Sequence, residues 1–292
     1  MKRLSFITLQ IISLSCVRLT ESGDNLYNIC FTARQESIIS ESSLTKTTFG
    51  YGNRASVMIF SAGSLSGFKG GTPLYAVAFE GGLLSHNEEI ALTRGVYDIY
   101  SLSYNSSNPP IVSFNNGVSG EPQNSIDYLW ASSKDLLVDS DKVINFNYKR
   151  LSCRIILKVV PDSSYKNITF NNIKFTLPSV NNTFIDLNNG TISPSGNADE
   201  LTPIEGTGDT RTFIIIPTTA SLRTETEISG EINGDSFTSR RFGADLGILF
   251  ESGNSYTIVM QIDGQKEVVI SYEVSPWRFV HNYITYSLSA HL

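Results

Sequence analysis

The chain has 292 residues, room for two domains of ~100–150 residues, each large enough to bury a core without metals or disulfides. Charged residues make up only 17% and the formal net charge is −6. Basic residues gather in nothing larger than pairs such as Lys149-Arg150 and Arg240-Arg241, so a nucleic-acid partner, which needs clustered cations, is excluded. Ser, Thr and Asn fill the gap left by charge, as on many exported β-proteins.

Residues 1–15 read as a signal peptide: Lys2 and Arg3 precede a short apolar run, 4–14, well under the ~18 residues that span a bilayer. The run ends Ser13-Leu14-Ser15-Cys16. A small residue before a cysteine resembles the site at which bacterial lipoproteins are cut and acylated, so Cys16 is the expected lipidation site, with multi-chain anchoring to follow. Residues 16–25 are polar and read as a tether.

Period-2 alternation starts at Leu26. Tyr27, Ile29, Phe31 and Ala33 share one face, and Asn28, Cys30 and Thr32 the other, the pattern of a half-buried strand. Residues 34–53 read as a long polar loop. Strands follow at 55–61, 73–79, 88–92, 96–104 and 143–148, with Gly- and Asn-rich loops at 63–71 and 115–124. Asp127 to Ser132 is a short apolar segment, and 135–141 is the best helical stretch, though weak. Beyond Arg150 come strands at 154–160, 168–177, 211–216, 227–232, 236–242, 255–262 and 267–274. Asn233-Gly234 and Asp263-Gly264 sit between alternating runs and mark hairpins. Short strands with turns every ~8–12 residues give an all-β chain of two sandwiches, with the first domain at 26–145 and the second at 146–292.

Catalytic patterns are missing. The three histidines, His86, His281 and His291, form no metal-ligand spacing. Asp139 and Asp141 lack the Gly and Glu of a calcium loop. Cys16, Cys30 and Cys153 match no zinc or redox motif; Cys30 and Cys153 read as small buried apolar residues. No enzyme, cofactor or metal is expected. Thirteen Tyr and two Trp leave a second reading, a cell-surface glycan-binding lipoprotein with exposed aromatics. Trp130 and Trp277 lie in apolar runs and read as core.

Several segments together resemble the fimbrillin family of Bacteroidales, the type V pilins with their anchor and tip relatives. They are Phe49-Gly50-Tyr51-Gly52-Asn53-Arg54 running into Val57-Met58-Ile59-Phe60, Asp127-Tyr128-Leu129-Trp130-Ala131, Leu151-Ser152-Cys153-Arg154-Ile155 after an alternating strand, and Pro276-Trp277 after the last hairpin. Asn53 stands where the family usually has an acidic residue. The resemblance implies two tandem transthyretin-like Greek-key sandwiches and a structural, adhesive subunit of a cell-surface fimbria, exported as a palmitoylated lipoprotein of the outer membrane. Its partners would be other fimbrial subunits, the membrane through its lipid, and a host or bacterial receptor. It also implies assembly by strand exchange. A trypsin-like, Arg-preferring protease cuts after the first strand, at Arg34 or Lys46, and exposes the core positions that Tyr27, Ile29, Phe31 and Ala33 filled. A neighbour's alternating strand then fills the groove by β-augmentation. The candidate donor carries Val280, Ile284, Tyr286 and Leu288; the same segment reads equally as the last strand of the second sandwich. Stalk, tip and anchor roles remain open.

Overall fold

The computed structural model describes residues 25–35, 47–69, 73–87, 89–176, 183–193, 201–265, 267–277 and 284–288. Strands β1 to β11 are Leu26–Gln35, Thr47–Thr48, Arg54–Ser61, Leu74–Ala78, Leu83–Ser85, Ala91–Thr93, Gly95–Ser103, Phe114–Asn115, Val118–Ser119, Leu129–Val138 and Lys142–Arg150. Strands β12 to β21 are Cys153–Pro161, Tyr165–Thr176, Ile185–Asp186, Thr191–Ile192, Thr210–Ile215, Arg223–Ile232, Asp235–Asp245, Asn254–Ile262, Val268–Pro276 and Ile284–Leu288. One 3-10 turn, Glu80–Gly82, precedes β5. The protein is all-β. Among the described residues no helix is long and apolar enough to cross a membrane.

The N-terminal strands pair in the order β11-β10-β7-β3-β4-β5-β1, and β1 returns to β11, so the ladder closes on itself. Inside lies a core that includes Ile29, Phe31, Ala33, Val57, Ile99, Leu129, Phe146 and Tyr148. The C-terminal strands form a five-stranded sheet, β16-β12-β19-β20-β21, and a three-stranded sheet, β13-β17-β18. Cys153, Ile155, Leu157, Phe175, Phe213, Ile228, Phe250 and Ile258 belong to the core of this half.

A third core joins the two. In β3 and β7 nearly every residue is buried, because the sheet is covered on both faces. The face away from the first core carries Met58, Phe60, Tyr100, Leu102 and Trp130, and Ile185, Leu187 and Ile192 pack on it. Residues 183–193 lie between β13 and β16 in sequence, yet β14 pairs with β9 in a small sheet, β15-β14-β9-β8, drawn from both halves. Trp130 is core, as expected, and its Nε1 donates to the Leu187 carbonyl at 2.9 Å.

Local chemistry accounts for the hairpins. Asn233 and Gly234 take φ of 52° and 91°, both positive as a two-residue type I′ turn requires, and Ile232 faces Asp235 across it. The Asp263-Gly264 hairpin is wider: Ile262 faces Val268, and the Asp263 carboxylate accepts from the Gln265 and Glu267 amides.

Three expectations are corrected. Residues 135–141 are not helical: Asp135 sits at a bulge in β10 with φ of 52°, and the buried Asp98 carboxylate accepts its amide at 2.8 Å and that of Gly63 at 2.9 Å. Pairing with β7 decides the conformation there, over weak local preference. The division after residue 145 falls inside β11, whose whole length pairs with β1 and β10; the sheets change between Arg150 and Cys153. Cys30 is exposed, because it lies on the outer face of β1, whereas Cys153 is buried in the C-terminal core. The two are not joined by a disulfide.

Candidate functional site: the seat of the first strand

Strand β1 has a neighbour on each side. Along one side it runs parallel to β11, from Ile29 opposite Lys142 to Gln35 opposite Tyr148. Along the other it meets three short antiparallel partners in turn. Leu26 to Asn28 face β6, Phe31 and Thr32 face β5, and Arg34 and Gln35 face β2. The change from β6 to β5 leaves a hollow of about 240 Å³ beside Cys30 and His86. One backbone bond, from the Ile29 amide to the Ile90 carbonyl at 2.9 Å, bridges this seam.

The alternation read in the sequence maps onto the core. Ile29, Phe31 and Ala33 are 2%, 0% and 0% exposed, and Tyr27 packs half-buried at the rim. Phe31 stacks on Phe146 with centroids 5.4 Å apart, Phe146 tilts against Tyr148 at 6.1 Å, and Phe49 stacks on Tyr148 at 4.8 Å. Burying Ile29 and Phe31 is worth about 1.5–3 kcal/mol apiece, and each ladder bond adds about 1 kcal/mol net. Removing β1 takes Phe31 off Phe146, the first ring of an aromatic row that continues through Tyr148 to Phe49. Burial pushes the Tyr148 phenol well above the ordinary tyrosine range, while its hydrogen bond with Ser101 opposes the shift.

Polar contacts fix the register. The Asn28 amide donates to the Asp141 carboxylate at 2.8 Å, and the Thr32 hydroxyl donates to the Asn145 side-chain oxygen. Gly82, in the turn before β5, has a φ of +83°, and a Cβ there would lie 2.4 Å from the Ala33 carbonyl oxygen. Only glycine allows this approach.

Arg34 is exposed, but its backbone is paired with Thr48 on one side and Asn147 on the other. Cys16, Lys46 and Val280 lie outside the described residues. Ile284, Tyr286 and Leu288 belong to β21, at the edge of the five-stranded sheet, opposite Val274, Tyr272 and Ile270. The structure thus gathers Tyr27, Ile29, Phe31 and Ala33 into one site and places the C-terminal residues in another. Sequence reading missed the floor of the seat. Ile144, Phe146 and Tyr148 alternate visibly, but nothing local says that their strand lies beside β1.

The chain leaves β20 at an anchored point. The Arg150 guanidinium lies 4.4 Å from the Trp277 ring centroid, and its Nη1 donates to the Trp277 carbonyl at 2.6 Å. Its Nε pairs with the buried Asp127 carboxylate at 3.0 Å. Arg154 lies over the same indole at 5.5 Å. Trp277 is 8% exposed, core as expected.

Among the described residues no group of three or more His, Cys, Asp or Glu is placed to hold a metal ion. The fimbrillin-like family model matches residues 87–277. In fold, the chain is similar to cell-adhesion candidates of known structure. One from Bacteroides uniformis has a TM-score of 0.57 at 13% identity, covering 86% of this chain and 98% of that one. One from Bacteroides ovatus has a TM-score of 0.56 at 13% identity, with coverage of 88% and 100%. A third, from Bacteroides fragilis, has a TM-score of 0.53 at 12% identity, with coverage of 88% and 99%. No curated protein matches the chain in sequence.

Proposed function

Since the chain belongs to the fimbrillin-like family, we propose that it is a non-enzymatic structural subunit of a cell-surface fimbria, assembled by exchange of strands between neighbours. The observation that carries this reading is the position of β1. It is the first described strand, it fills the N-terminal core with Ile29, Phe31 and Ala33, and its withdrawal takes Phe31 off the ring of Phe146. An open seat of this kind is unstable alone and templates pairing with another chain.

The cut that frees β1 falls after Lys46 rather than Arg34. A protease must take its substrate as an extended, unpaired strand; Arg34 has ladder partners on both sides, whereas Thr47 and Thr48, which follow Lys46, are paired among the described residues on one side only, with Gln35 and Arg34. The donor is the segment after Trp277. As an edge strand, β21 is held by β20 on one side. Ile284, Tyr286 and Leu288 have the same i, i+2, i+4 spacing as Ile29, Phe31 and Ala33. Trp277, clamped by Arg150, fixes the point from which the lent segment departs. Acylation at Cys16 carries the precursor to the outer membrane.

The test is to treat the purified protein with a trypsin-like protease and follow its size under native conditions and on denaturing gels. Loss of the segment containing β1, followed by a ladder of multimers, is expected. A trimmed chain that stays strictly monomeric at high concentration rules out the exchange.

A further inference from the structure

A cleft of about 980 Å³ opens where the loop after β7 faces the segment that leads into β10, with Ile214 of the C-terminal half at its margin. It lies apart from the seat of β1 and shares no lining residue with the hollow beside Cys30. This is the size of a small-molecule site. We infer that this cleft is a binding site for a neutral oligosaccharide.

The lining determines the ligand class. No Lys, Arg or His is among its residues, so nothing there compensates the charge of a phosphorylated, sulfated or sialylated ligand. The buried Asp127 carboxylate at the cleft is already occupied, by Arg150 Nε at 3.0 and 3.1 Å and by the Asn105 side-chain amide at 2.8 Å. It therefore offers little to a cationic ligand. What remains is aromatic, prolyl, aliphatic, amide and hydroxyl, together with the exposed Glu121 carboxylate, which adds to the exclusion of anionic ligands. Tyr104 stands at 88° to Tyr128, with centroids 5.3 Å apart, and Tyr104 is the half-buried, accessible ring of the two. Ile111, 83% exposed, adds an apolar wall. The exposed side chains of Asn108 and Gln123 supply paired donors and acceptors. The Tyr128 hydroxyl accepts the Gln123 backbone amide at 3.0 Å, which leaves its proton to donate. An apolar face beside convergent amides and phenols matches a pyranose ring, which has a C–H face and a rim of hydroxyls.

Gly120 provides a test that spares the fold. It lines the cleft, its φ is outside the left-handed region, and a Cβ built on it meets nothing within 4 Å. The unprocessed monomer would be screened by glycan array, and hits would be measured by calorimetry, so the result does not depend on polymerisation. Neutral oligosaccharides are expected to bind, with sulfated and sialylated ones no stronger. Gly120→Trp should abolish binding while leaving the thermal midpoint unchanged. Should that variant fail to fold, Asn108→Ala/Gln123→Ala replaces it, with affinity expected to fall at least ten-fold. No neutral glycan binding, preference for acidic glycans, or binding unaffected by these substitutions overturns the inference.

Discussion

Phe31 carries much of the first strand's attachment. It is fully buried, stacks on Phe146 and meets His86 edge-on at 6.2 Å. Phe31→Ala leaves a cavity that its rigid aromatic neighbours cannot fill, and should cost about 3–5 kcal/mol, read by denaturant unfolding. The tyrosines make a second prediction, this time about pH. Burial raises Tyr100 and Tyr128 to about 12 and Tyr148 further, with the Asp98 charge adding to the shift of Tyr100. In the unfolded chain these phenols ionise near the ordinary value of ~10, so above that pH the folded state holds more protons. Stability is then fully present below pH ~10 and falls as pH rises toward the folded values. Titrating the phenolate absorbance should give a slow-ionising class of tyrosines that appears only with loss of near-UV dichroism. Which carboxylates would be occupied was not legible. Asp98 and Asp127 look alike in the sequence, yet one clamps a β-bulge and the other pairs with Arg150; both partners are distant along the chain.

At the scale of the strand, β1 was legible and its neighbours were not. Alternation from Tyr27 to Ala33 gives the strand and its buried face, because a single period-2 stretch contains that information. The parallel partner β11 comes from the other end of the domain. The apolar residues Leu136, Leu137 and Val138 mimic a helical turn but belong to a bulged strand, since the bulge disturbs the two-residue period. The pairing of Arg34 also yields a prediction. In native protein, Lys46→Ala should slow tryptic release of β1 at least ten-fold, whereas Arg34→Ala should leave its rate within about two-fold, both followed by mass spectrometry. Cleavage between two ladder partners, as at Arg34, needs local opening that costs several bonds of about 1 kcal/mol each, whereas β2, which follows Lys46, is paired among the described residues on one side only.

Across the whole molecule, residues 183–193 bind the two halves through Ile185, Leu187 and the Trp130 indole. The sequence places this segment in the second block and offers no sign that it crosses to the first. Trp130 reads as core from its apolar surroundings, but the face it fills depends on that crossing. Gly190, with φ of +60°, lies so close that a Cβ would meet the Trp130 ring at 2.3 Å. Trp130→Ala should therefore cost about 3–5 kcal/mol and, by weakening the shared core, split a single calorimetric transition into two. The most direct test concerns the emptied seat. A synthetic peptide covering Leu26–Gln35 would be added to protein freshly trimmed of that strand, with binding measured by titration calorimetry and multimers by native mass spectrometry. The peptide should bind one per subunit and stop multimer growth, while a version with Ile29 and Phe31 replaced by Ser should do neither. Multimers that grow equally with or without the native peptide, although it binds, would mean that the seat of β1 is not the assembly site.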